Sequence, residues 1–226
     1  EMNIRDWSSD VCSSDLLALV LALALPGARA GETVVVELFT SQGCASCPPA
    51  DRVLGRLAGR EGVIALSLHV DYWDYLGWRD TFARPEFTRR QHAYRDDWGD
   101  RVVYTPQLVV QGREAVKATD EDAVHAAIAR HRDADGERMV EIVEEGGMLR
   151  GRLSGDYARR AVVWFATYRL AATQEVPRGE NAGRTLTYHN VVTSLERLGP
   201  AVAVPGELML PQPRAGEGIA LWVQAG

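Results

Sequence analysis

Two of the three cysteines, Cys44 and Cys47, stand two residues apart, after an apolar run from Thr33 to Phe39 and before Pro48, Pro49 and a helical pattern. A Cys-x-x-Cys at the head of a helix places the first sulfur where backbone N–H groups and the helix dipole favour the thiolate. The thiolate is the species that exchanges with disulfides. A structural zinc site would need a second ligand pair, and the sequence holds neither another Cys-x-x-Cys nor a His-x-x-x-His. A static staple is the other alternative. The spacing therefore points to thiol–disulfide chemistry, with Cys44 as the exposed, attacking sulfur and Cys47 as the resolving one.

The elements that would hold this pair follow from periodicity. Thr33 to Phe39 is β-branched and apolar enough for a buried central strand. Thr40 to Gly43 forms a loop, with Gly43 expected to let the chain turn ahead of Cys44. Pro48 and Pro49 fit a first helical turn, and Val53, Leu54, Leu57 and Ala58 recur at helical spacing. Val63 to Val70 reads as a second buried strand, so the start is β-α-β with a parallel pair. An aromatic stretch from Asp71 to Trp78 follows, then a polar helix over Pro85 to Trp98. Pro106 heads a strand from Gln107 to Val110, Gly112 turns the chain, and Glu114 to Lys117 returns as a hairpin. Asp120 suits the N-cap of a helix carrying Ala123, Val124, Ala127 and Ile128 on one face.

The two ends of the chain have other textures. Leu16 to Leu25 is a Leu/Ala-rich run followed by Ala28-Arg29-Ala30, the pattern of a signal peptide cleaved after Ala30. Its apolar core of about ten residues is half the roughly twenty that a bilayer span takes. The acidic residues Asp6, Asp10 and Asp15 outweigh Arg5 where a positive segment is expected, which marks residues 1–16 as a non-native scar over the true start. Cys12 falls in this region, so the exported chain keeps the Cys44–Cys47 pair alone, free of competing thiols. Periplasmic or secreted localisation is expected, with no stable membrane span in the mature form. The formal net charge of −6 gives no electrostatic footing on phosphate backbones, which disfavours nucleic acid as a partner. After a polar joint, Asp133 to Gly136, come short alternating runs over Met139–Glu144, Met148–Leu153, Ala161–Leu170, Thr185–Leu195 and Ile219–Val223. Gly146-Gly147 is a hairpin turn between the first two, and the whole reads as an antiparallel β unit. The expected division is residues 1–30 as signal segment, 31–134 as an α/β domain and 135–226 as a small antiparallel β domain.

Four stretches together, Phe39-Thr-Ser-Gln-Gly-Cys-Ala-Ser-Cys-Pro-Pro-Ala-Asp51, His69-Val-Asp-Tyr-Trp-Asp-Tyr-Leu-Gly-Trp78, Tyr104-Thr-Pro-Gln107 and the segment from Gly179 to Val192, resemble an uncharacterised bacterial family of secreted thioredoxin-like proteins. The resemblance implies an α/β thioredoxin-like fold with a helical and aromatic insert, a redox-active Cys44–Cys47 disulfide with no further cofactor, and Pro106 in the cis-proline position. It implies no particular substrate. Two departures bear on redox potential: Gly43 stands where a Trp usually precedes the first cysteine, and Ala45-Ser46 replaces Gly-Pro between the two.

The site expected on these grounds has Cys44, Cys47 and Pro106 as catalytic residues, and Thr105, Trp73, Trp78 and Gln42 along a substrate-binding edge for a protein or small-molecule thiol or disulfide. His69 and Asp71 are candidate proton relays, with a hydrogen-bonded strand end and a loop-fixing carboxylate as their plainer roles. Glu180, Asn181, Arg184 and His189 form a polar cluster readable as function or as turn and strand surface. Three functional classes remain: a thiol–disulfide oxidoreductase; a non-enzymatic copper(I)-binding or delivery module on the same soft thiolates, which would take His69 or His189 as a third ligand; and a pure interaction module, which a cysteine pair buried without a groove would favour.

Overall fold

The computed structural model describes residues 33–132 and 139–224. The expected signal segment and the joint from Asp133 to Gly136 lie outside these residues. The first half runs β1 (Val34–Thr40), α1 (Pro48–Leu57), β2 (Val63–His69), a 3-10 turn (Asp74–Leu76), α2 (Pro85–Trp98), β3 (Gln107–Val110), β4 (Glu114–Val116) and α3 (Glu121–Arg132). The second half is all strand: β5 (Met139–Glu145), β6 (Met148–Ser154), β7 (Val162–Val176), β8 (Arg184–Pro200), β9 (Glu207–Leu210) and β10 (Glu217–Gln224).

β1 is buried along its whole length because both of its faces are covered. Val34, Val36 and Leu38 pack with α1 and α3, through Val53, Leu54, Leu57, Val124 and Ile128. Val35 and Phe39 face the other way, onto Phe87 and Tyr94 of α2 and Trp222 of β10. β2 runs parallel to β1 and β3 antiparallel to it, giving the expected β-α-β start and a hairpin return to β4. Asp120 caps α3, its Oδ1 accepting from the Ala123 N–H at 3.0 Å.

The architecture is mixed α/β, and its main sheet has seven strands in the order β10-β7-β8-β2-β1-β3-β4. The C-terminal strands expected to stand apart instead divide. β5, β6 and β9 form a three-stranded sheet, with Gly146 and Gly147 at positive φ in the β5–β6 turn, while β7, β8 and β10 extend the first sheet across the expected boundary. The join is narrow: β8 meets β2 in parallel at Val191 and Ser67. Asn190, at φ 47, supports it by donating its side-chain amide to the Ala65 carbonyl at 2.9 Å. Asn tolerates this left-handed backbone better than most residues. β7 and β8 are longer than the alternation implied, and the register shifts between them mark bulges. Their far end reaches back over α1 and the cysteine loop.

Candidate functional site

Cys44 and Cys47 form a disulfide with their Cα atoms 5.4 Å apart, and Cys47 is the N-cap of α1. Cys44 N–H donates to the Ser41 carbonyl, and the Cys47 carbonyl accepts from the N–H groups of Ala50 and Asp51. The placement at a helix start is as the spacing implied. The exposure is not: Cys44 is 2% exposed and Cys47 fully buried, with Ala45 and Ser46 between them at the surface. The covering element comes from the other end of the chain. In the turn between β7 and β8, the buried Asn181 donates its amide to the carbonyls of Gln42 and Cys44, both at 2.9 Å, and Glu180 Oε2 accepts from the Ala45 N–H at 3.2 Å.

The Thr105–Pro106 peptide bond is cis, as the resemblance implied. Trp73 links it to the cysteine loop. Its indole N–H donates to Thr105 Oγ1 at 2.7 Å, and its Cβ would lie 3.1 Å from a Cβ placed on Gly43. Gly43 is therefore required by the close approach of Trp73 rather than by a positive φ, which it does not have. Gln91 of α2 fixes the same loop, donating to the Tyr104 carbonyl and to Gln107 Oε1, both at 2.8 Å, and accepting from the Tyr72 hydroxyl. Burial pushes the Tyr72 phenol up to about 12, so it acts as a neutral donor. Tyr75, 77% exposed, stacks on Trp73 at the rim.

The other candidates divide by accessibility. Trp78 is half-buried and donates to Gln42 Oε1 at 2.8 Å, and Gln42 donates in turn to Thr81. Gln42 is fully buried with its amide engaged on both sides, which makes it a support for the loop rather than a substrate contact. Asp71 accepts from Thr88 Oγ1 at 2.6 Å and so ties the aromatic stretch to the first turns of α2. This is the loop-fixing role. His189 packs against α1 at Gly55, eight residues beyond Cys47, where a Cβ on that glycine would clash with its ring at 2.6 Å.

His69 is fully buried, with Nδ1 2.8 Å from Asp80 Oδ2 and its ring edge-on to Phe82 and Tyr188. It belongs to a wider buried group on the α1 face of the sheet. Asp80 also accepts from the backbone N–H groups of Gln42 and Phe82, and Asp51 Oδ1 accepts from Thr40 Oγ1 at 2.7 Å. Three atoms of this group, Asp51 Oδ2, His69 Nε2 and the Tyr188 hydroxyl, have no hydrogen-bond partner among the described residues. Burial raises the Asp51 carboxyl to about 7, against the pull of His69 and the Thr40 hydroxyl. Asp80 goes the other way: burial would raise it, but the charge and hydrogen bond of His69 and the two backbone donors hold it below the usual carboxylate value. Burial also raises Tyr188, as do the nearby carboxylates. Asp51, Asp80 and Tyr188 were not among the expected site residues. An acid in the first turn of a helix reads as a dipole partner, and nothing local marks Asp51 as the one acid that turns inward.

Among the described residues, no group of three or more His, Cys, Asp or Glu side chains is arranged to hold a metal ion, and no helix is long and apolar enough to cross a membrane. The sequence model of a family described as "Protein of unknown function (DUF1223)" matches residues 35–224. The fold is similar to the crystal structure of protein AGR_C_4864 from Agrobacterium tumefaciens. The TM-score is 0.64 at 31% identity, over 85% of this chain and 94% of that one. No curated protein matches the sequence.

Proposed function

As the chain belongs to the DUF1223 family, whose description assigns no activity, we propose its function from the site: a thioredoxin-like thiol–disulfide oxidoreductase working through Cys44 and Cys47. The observation that carries this reading is a disulfide at the head of α1, linked through Trp73 to the Thr105–Pro106 loop. In the oxidising direction a substrate thiolate attacks Cys44 Sγ. A new S–S bond forms, the Cys44–Cys47 bond breaks, and its electron pair leaves on Cys47. A second substrate thiolate then attacks the substrate sulfur of the mixed disulfide and expels Cys44. The substrate loses two electrons, the cysteine pair gains them, and two protons pass to the new thiols; reduction of a substrate disulfide is the reverse.

Asp51 supports the proton side of this exchange. It follows Cys47 by one helical turn, is buried, holds its proton to about pH 7 and keeps one oxygen unpartnered. Thr105, Pro106, Trp73 and Trp78 supply the edge along which a partner chain would lie. A thioredoxin-like unit ahead of residue 134, its sheet continued by β7, β8 and β10, belongs to this reading, as do export and cleavage after Ala30, which an oxidised pair suits.

The test is trapping. Cys47→Ser leaves Cys44 able to attack a substrate disulfide, expelling one of its sulfurs as a thiol, but removes the resolving thiol, so it should accumulate mixed disulfides. Cys44→Ser should accumulate none. Equal trapping by both variants would reverse or dissolve the role assignment.

A further inference from the structure

The turn between β7 and β8 reaches the cysteine loop from more than 130 residues away along the chain. It brings both a clamp and a charge. The clamp is Asn181, fully buried, bonded to the carbonyls of Gln42 and Cys44 and braced by Arg184, whose guanidinium donates to Asn181 Oδ1 at 2.7 Å. Gly179 lets the turn sit close to the aromatic stretch: at φ +79, a Cβ there would lie 3.4 Å from the Leu76 carbonyl and from Trp78 Cβ. The charge is Glu180. It is exposed, bonded to the Ala45 N–H, and no ion pair neutralises it among the described residues. It is the one charged side chain hydrogen-bonded to the Cys44–Cys47 loop itself among those residues. The other charged groups around the site are exposed or half-buried, namely Arg178 in the same turn, Arg184 at the head of β8, Arg52 on α1, and Asp71, Asp74 and Arg79 in the aromatic stretch, or else belong to the buried group of Asp51, His69 and Asp80.

We propose that Glu180 is a specificity-determining residue that sets the charge preference of the disulfide, so that the cysteine pair exchanges with neutral and cationic thiols in preference to anionic ones. The inference rests on the oxidoreductase reading and names its substrate class. An attacking thiolate already carries one negative charge. A second negative group on the same small molecule approaches Cys44 past the Glu180 carboxylate and is repelled, whereas an ammonium group is drawn in. Glu180 is held on the Ala45 N–H, one residue from Cys44, so its charge acts on a thiol that reaches the pair. A partner protein would meet the same rule as a preference for Lys or Arg beside its reactive cysteine.

The experiment follows reduction of the oxidised protein by cysteamine, 2-mercaptoethanol and mercaptoacetate at equal thiolate concentration, in the native protein and in Glu180→Gln. Each rate is divided by that thiol's rate with the neutral bis(2-hydroxyethyl) disulfide, so that differences in intrinsic nucleophilicity cancel, and these relative rates are compared. The native protein should be reduced fastest by cysteamine and slowest by mercaptoacetate, with a spread of about three- to tenfold. Glu180→Gln should compress that spread towards unity. A variant that merely loosened the loop would raise all three rates together, and the neutral thiol separates the two effects. Added salt should compress the native spread in the same way, a readout that needs no mutation. An unchanged spread in Glu180→Gln would overturn the proposal and assign the local field to other acids near the site, such as Asp71, Asp74 or Asp80; a preference for mercaptoacetate would overturn it and assign the field to Arg178 or Arg184. Resistance of the folded protein to all three thiols would instead overturn the oxidoreductase reading beneath it.

Discussion

The two faces of the central sheet each bury a polar network, and the networks differ in how completely they are satisfied. On the α2 face, Glu37 of β1 takes a two-point bond from Arg90, at 2.5 and 2.9 Å, and accepts from the Tyr94 hydroxyl, while Arg90 also reaches Gln224 of β10 and lies 4.2 Å from the centre of the Trp164 ring. The Arg90 guanidinium stays charged and, despite burial, is held above its ordinary value by Glu37. On the α1 face, Asp51, His69, Asp80 and Tyr188 are equally buried but leave Asp51 Oδ2, His69 Nε2 and the Tyr188 hydroxyl without partners among the described residues. A buried polar atom without a protein partner carries a desolvation penalty unless a buried water pairs with it, so the two networks differ in how far the protein itself satisfies them. The first network ties α2 to an interior strand, β1, and to the edge strand β10; the second holds Asp51, whose carboxyl burial raises to about 7.

Breaking each network should separate these roles. The largest effect belongs to Arg90→Ala, which strands the Glu37 carboxylate in the interior and should cost about 3–5 kcal/mol in chemical denaturation. The redox properties of the remaining folded protein should be unchanged. A loss under 1 kcal/mol would mean that the pair is no structural tie.

Asp51→Asn should act on pH dependence. The native carboxyl keeps its proton to about pH 7, whereas the unfolded chain releases it near the ordinary value of 3.8. Between these values the native state binds more protons, so stability falls as pH rises and the deficit persists above pH 7. The shift corresponds to about 4 kcal/mol as an upper bound. Denaturation at pH 4 and pH 8 should show this decline in the native protein and little of it in Asp51→Asn. Asp80 has the opposite sign: its contribution is present above the usual carboxylate value and lost as pH falls below it. A variant that kept the full decline between pH 4 and 7 would assign the linkage to another group.

A smaller effect is expected at the clamp. Asn181→Ala removes two bonds to the cysteine loop and should cost about 1–3 kcal/mol. It should also speed alkylation of Cys44 in the reduced protein, because the cover over the loop is loosened. Slower or unchanged alkylation would show that the β7–β8 turn does not limit access. The smallest is Trp73→Phe, which keeps most of the packing against Gly43 but loses the bond to Thr105 Oγ1, at about 1 kcal/mol. Its value is in sharpening the contrast: substrate exchange should fall by more than stability does, whereas proportionate losses would make Trp73 a packing residue only.

Much of the frame of the site was legible because it is local. The β-branched run into Phe39, the two prolines after Cys47 and the helical spacing of Val53, Leu54 and Leu57 each carry their own signal within a few residues. The cis-proline position came through a resemblance rather than a periodicity. What stayed hidden is non-local. Val191 joins β8 to Ser67 of β2, and no spacing within either strand announces that pairing. The burial of Cys44 depends on Asn181, a residue whose own neighbourhood reads as a polar turn. Asp51 and Asp80 look in sequence like the surface acids around them; only the packing of α1, β2 and β8 turns them inward. Gly43 shows the same limit from the other side, its need arising from Trp73 thirty residues on rather than from its own backbone.

The central claim is that Cys44 and Cys47 are a working redox couple held over a proton-accepting interior. Equilibrating the folded protein in glutathione buffers of graded ratio, at several pH values, tests it most directly. The account predicts a single reversible two-electron transition between disulfide and dithiol, with the fold retained throughout and a midpoint whose pH dependence changes near pH 7 in the native protein but not in Asp51→Asn. A disulfide that stays closed until the protein unfolds would contradict it and leave the pair as a staple.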